Sequence, residues 1–126
     1  MKMIESETID RTITPIYAPK YLKRLGEIVG YEMTRDFIQQ FLELAPKQLA
    51  ALRQLFDTGD VDRLCSKAHQ FKSECLQLGA IRLGNLCEQV ENLAKQGKYE
   101  VIPEKLAKIE TELILFEAAL KSGGQL

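Results

Sequence analysis

The spacing of apolar residues constrains this chain's fold more than any other feature. From about Tyr31 to Phe56, the residues Phe37, Phe41, Ala45, Leu49, Leu52 and Phe56 recur at steps of three and four. That period lays side chains along one face of an α-helix. Val61, Leu64, Cys65, Ala68, Phe71, Cys75 and Leu78 form a second such face. Leu83, Leu86, Cys87, Val90, Leu93 and Ala94 form a third, and Leu106, Ile109, Leu113, Phe116 and Leu120 a fourth. No segment alternates apolar and polar residues as a half-buried strand would.

Turn residues separate the four stripes. Asp57-Thr58-Gly59-Asp60 reads as a turn, with Asp60 placed to cap the next helix. Gly79 and Gly97 stop the second and third long helices, and Pro103 suits the first turn of the last. Pro46 lies inside the first long helix, where a kink rather than a break is expected. Pro19 starts a short helix through Leu25, ended by Gly26. Four long amphipathic helices on short connections imply an all-α fold: an antiparallel four-helix bundle with a short N-terminal capping helix. Residues 1–17 read as a loose leader, 18–121 as the bundle, and 122–126 as a loose tail. There is no internal repeat and no sustained heptad seam.

Composition narrows the function classes. The chain has 126 residues, 45% hydrophobic and 28% charged, enough for one buried core. A net charge of −1 argues against a general nucleic-acid binder. No apolar run is long enough to span a bilayer. Glu5, Asp10 and Arg11 interrupt the N-terminal stretch that a signal peptide would need. A cytoplasmic protein is therefore expected. Three cysteines, Cys65, Cys75 and Cys87, make an odd count and sit at apolar helix positions. They read as small buried hydrophobes rather than a disulfide framework.

His69 is the one histidine of the chain. With about 100° per residue and Ala68 at the centre of the buried arc, His69 falls at the boundary between core and solvent. Cys65 and Ser66 lie a turn behind it, and Lys72 and Ser73 a turn ahead. His69 precedes Gly79 by ten residues and Glu91 follows it by twelve. At about 1.5 Å per residue, an antiparallel hairpin brings the two level. A carboxylate there accepts a hydrogen bond from Nδ1–H and leaves Nε2 as a free nucleophile. Lys72 would offset negative charge on an incoming phosphoryl group. A histidine at a helix edge is also a common structural residue, so these residue types describe a site that is able to work rather than one that must.

The stretch Ala68, His69, Phe71, Lys72, Leu78, Gly79 and Ala80, followed by Leu83, Cys87 and Glu91, resembles the histidine-containing phosphotransfer (HPt) domain of phosphorelays. The upstream run from Phe37 to Pro46 is similar to that family's long helix, and the resemblance covers about residues 18–120. It implies a phosphocarrier in which His69 accepts a phosphoryl group from a receiver-domain aspartate and passes it to another receiver. Its implied partners are response-regulator receiver domains and a hybrid sensor histidine kinase, met through the surface around the histidine, including Lys67 and Ser73. It implies no cofactor of the chain's own, with Mg²⁺ belonging to the receiver. Without a Gly-rich nucleotide loop, ATP-dependent kinase activity is not expected. The chain departs from the family in carrying Ser73 where glycine is usual and Glu74 where a small residue is usual. Glu74 lies about 140° from His69 and is expected not to touch the phosphoryl group. Nothing marks a dimer interface, so a monomer is expected.

Two other readings compete. One is a binding-only bundle that docks on a receiver or kinase without efficient transfer. The other is a metal site built from Cys65, His69 and Cys87, weak because structural zinc wants four ligands in paired motifs. A redox role for the cysteines is weak too, since nothing marks a low-pKa thiol.

Overall fold

Each apolar stripe becomes a helix, and the stripes meet in one core. The computed structural model describes residues 14–126. Among these the elements are α1 (Pro19–Val29), α2 (Tyr31–Asp57), α3 (Val61–Gln77), α4 (Ile81–Lys95), a 3₁₀ turn (Tyr99–Val101) and α5 (Ile102–Ser122). Helices α2 to α5 form the four-helix bundle, closed by α5 packing back on α2, while α1 lies against α2. Helix α3 packs against α4 more extensively than any other pair of elements meets. Among the described residues, no helix is long and apolar enough to cross a membrane.

The core is built from Ile38, Phe41, Ala45, Leu49 and Leu52 of α2 and Leu64, Ala68, Phe71 and Cys75 of α3. Leu83, Cys87 and Val90 of α4 and Leu106, Ile109, Phe116 and Leu120 of α5 complete it. Phe41 links α2 to the aromatic rings of α3 and α5. Its ring lies 5.8 Å from Phe116, edge to face, and 6.1 Å from Phe71. Such pairs add to the burial of apolar area that drives the fold.

Local chemistry sets the helix ends. The Asp60 carboxylate accepts from the Arg63 N–H at 3.3 Å and caps α3. At its other end the Ala80 N–H donates to the Cys75 carbonyl and the Gly79 N–H to that of Leu76. Gly79 holds φ +75° there, the left-handed conformation that closes a Schellman turn. The same turn is pinned from outside, since the Ala18 N–H donates to the Gly79 carbonyl at 2.8 Å. The start of α1 is thereby tied to the α3–α4 connection.

Several sequence expectations are corrected. Helix α1 does not end at Gly26 but continues to Val29. Gly26 is buried, and a Cβ on it would come within 2.5 Å of the Tyr31 ring, so its glycine serves close packing instead of a stop. Phe37, placed in the buried stripe, is 38% exposed. Its neighbour Ile38 takes the core position, which also continues a three-four spacing through Phe41, Ala45 and Leu49. The expected loose leader falls largely on residues 1–13, outside the described residues. Its end is not loose: Ile16 and Tyr17 pack against the core, Tyr17 edge to face with Phe116. The tail also folds back. The Gln125 N–H donates to the Leu120 carbonyl, and Leu126 packs on the core.

One polar pair enters the interior unannounced by the stripes. Arg82 of α4 and Glu112 of α5 meet at 3.1 Å, with side chains 8% and 2% exposed. Removing one partner of such a pair strands a buried charge.

A Cβ at position 79 would meet the Ala18 carbonyl oxygen at 2.7 Å as well as strain the backbone. Gly79→Ala should therefore cost at least about 1–2 kcal/mol, read as a lower urea midpoint with an unchanged m value. An unshifted midpoint would contradict this account of the turn.

Candidate functional site

The site arises where the buried arc of α3 meets its exposed face. Ala68 is fully buried, and the next residue, His69, emerges at the rim with its side chain 62% exposed. Across the α3–α4 hairpin, Glu91 lies on the inward side of α4 beside Val90 and Ala94. Its side chain is 10% exposed. Its Oε1 sits 3.2 Å from Nδ1 of His69. The two residues that sequence spacing put level are thus brought together.

A nearly buried carboxylate needs partners for both oxygens. Oε2 of Glu91 meets Nζ of Lys95 at 2.9 Å, one turn along the same helix. Burial pushes the Glu91 carboxyl up, but the hydrogen bonds from Lys95 and His69 outweigh it and hold the group below its ordinary value. The Lys95 ammonium is held above its ordinary value by the same carboxylate. An ionised carboxylate only accepts, so the bond to His69 requires hydrogen on Nδ1. In the neutral ring the lone pair then resides on Nε2.

The other expected residues are distributed unevenly. Lys72 lies one turn after His69 on the side facing α4, where Nζ is 3.7 Å from Oε1 of Glu88. The Ser73 hydroxyl donates to the His69 carbonyl at 3.2 Å and stays on the exposed crest of α3. Lys67 is not brought to the histidine: two residues back along a helix places it roughly 160° round the axis, on the flank toward α2. Glu74 also faces α2. It accepts from Gln48 at 2.8 Å and from Gln70 at 3.3 Å, turned away from His69 as expected.

That α2 flank is not flat. A groove of about 470 Å³ runs between α1, α2 and α3, lined by Leu25, Phe37, Phe41 and Leu44, with Gln48 and Glu74 at its polar edge. Phe37, displaced from the core, helps line it. The groove and His69 therefore lie on opposite sides of the α3 crest that carries Ser73.

The cysteines do not converge on the histidine. Cys65 directs its thiol to the Glu91 carbonyl at 3.9 Å, and burial pushes it up. Cys75 is pushed well up by its hydrogen bond with Cys87 and by burial. All three are free. Among the described residues, no group of three or more His, Cys, Asp and Glu is placed to hold a metal ion. Two contacts escaped the sequence reading, Lys95 and Glu88. The four-residue spacing from Glu91 to Lys95 is a standard helix-pair signal that would have found the first.

The family model described as the Hpt domain matches residues 36–119, well over half of the chain. The chain is also similar to the crystal structure of histidine-containing phosphotransfer protein B (HptB) from Pseudomonas aeruginosa PAO1. The two share 23% sequence identity with a TM-score of 0.80, over 88% of this chain and 96% of that one. At that identity the likeness shows a common fold. No curated protein matches the chain.

Because the folded state holds Glu91 below its unfolded-state value, its ionisation stabilises the fold at neutral pH. That contribution is lost as pH falls through the folded-state value. Thermal midpoints of the wild type should fall more steeply between about pH 5 and pH 3 than those of Glu91→Gln. Parallel curves would show that the ionised carboxylate contributes nothing to stability.

Proposed function

The chain belongs to the Hpt domain family, and on that premise we propose that it is a histidine phosphocarrier of a multistep phosphorelay, with His69 as the acceptor. The observation that carries this reading is the pairing of an open imidazole with a buried carboxylate at its Nδ1. The Nε2 lone pair attacks the phosphorus of a receiver's aspartyl phosphate. The bond from phosphorus to the aspartate oxygen breaks, and the carboxylate leaves with that electron pair. Nδ1 keeps its hydrogen, and Glu91 offsets the positive charge that spreads over the phosphorylated ring. A second receiver reverses the step with its own aspartate as nucleophile.

Transfer of this kind rests on positioning and charge stabilisation, which a rigid helical scaffold supplies. Lys72 is one turn away, and its contact with Glu88 is a partly exposed ion pair of small net worth. Releasing it toward phosphoryl oxygens costs little. Mg²⁺ belongs to the receiver's acidic pocket, and the chain itself carries no ATP-dependent kinase activity in this reading.

The receiver docks over the crest of α3. The groove beside Phe37 and Leu44 supplies apolar area with a polar edge, and Ser73 lies between it and the histidine. Lys67 on the α2 flank serves this docking rather than the chemistry. The partners are receiver domains, including that of a hybrid sensor kinase, met by a monomer in the cytoplasm.

Incubation with phosphorylated receivers should label the protein with an acid-labile, alkali-stable phosphate, and His69→Ala should abolish it. Label persisting in that variant would overturn the assignment of His69. Binding of receivers without any label on the wild type would instead favour a docking-only role. Ser73→Gln should slow transfer several-fold while far-ultraviolet circular dichroism stays unchanged. Transfer at the wild-type rate would remove Ser73 from the docking face.

A further inference from the structure

We infer that Lys95 is a positioning residue for His69, acting through Glu91 without touching the imidazole. The inference rests on the phosphocarrier reading only for its effect on transfer, not for its effect on the ring. Glu91 is a carboxylate in a nearly buried position, where desolvation favours the neutral acid. A protonated Glu91 would become a donor. It would then pair with a bare Nδ1 and move the ring hydrogen to Nε2, the nitrogen that has to be free. The Lys95 ammonium at 2.9 Å from Oε2 prevents this. It keeps the carboxyl ionised, and by occupying one oxygen it directs the other at Nδ1.

The other groups around Glu91 do not replace it. Cys65 meets only the Glu91 carbonyl, and its thiol is pushed toward the neutral form. Lys72 engages Glu88, one turn earlier on α4. Lys95 itself is 60% exposed and sits at the last turn of α4, where a cation also suits the helix dipole. It lies at the far end from His69 of a chain of contacts running Lys95–Glu91–His69.

With one histidine in the chain, ring nitrogen signals belong to His69 alone. Nitrogen-15 shifts of the neutral ring, measured on the whole protein without any receiver, should show hydrogen on Nδ1 in the wild type. Lys95→Met should move population to the Nε2–H form, and Lys95→Arg should restore the wild-type pattern. Transfer from a phosphorylated receiver should slow roughly tenfold or more in Lys95→Met, as expected when an orienting carboxylate no longer fixes the tautomer. In a Glu91→Gln background the amide needs no countercharge, so adding Lys95→Met should change nothing further. An unchanged ring signal in Lys95→Met, or the same loss of transfer in both backgrounds, would overturn the inference. A ring shift in a protein that no receiver labels would support the positioning role and count against the phosphocarrier reading.

Discussion

The close pairing of α3 with α4 is the constraint on which the rest of the site depends. The left-handed turn at Gly79 fixes the register of the two helices, and the bond from Ala18 holds that turn against the start of α1. With the register set, one residue on the rim of α3 and one on the inner side of α4 fall level. A slip of one position would rotate Glu91 by about 100° and leave its carboxylate buried without the imidazole. Chemistry and packing are thus the same problem here: the side chains that bury Cys87, Val90 and Ala94 also aim Glu91.

Much of this was legible in the sequence because each signal had a single physical meaning. Asp60 caps and Gly79 stops, so the hairpin's length could be counted and Glu91 found opposite His69. Where two meanings competed, the sequence did not decide. Phe37 and Ile38 both continue a three-four spacing through Phe41, and only the full packing of α2 against its neighbours selects Ile38. Gly26 looks like a helix stop, yet its role is to admit the Tyr31 ring. Lys67, expected on the docking surface from the family resemblance, lies two residues before His69 and so points almost the opposite way round the helix.

The buried pair of Arg82 and Glu112 escaped for another reason. A stripe of apolar residues carries no mark of a charge facing inward, so such a pair leaves no trace in the pattern. Its place between α4 and α5 makes it a test of partner choice within the bundle, since another pairing of helices would leave both groups buried apart. Alongside an apolar core that tolerates many arrangements, such a pair disfavours the wrong ones.

Ser73 marks a ridge, with an apolar trough down one slope and the imidazole of His69 down the other. Whatever settles in the trough must straddle that ridge to reach the ring. On the phosphocarrier reading, grip and reaction would be divided between separate faces of one helix. On that reading, residues of the trough could vary with the visitor while the ring and its buried carboxylate stay as they are, so a change of clientele would require no change of chemistry.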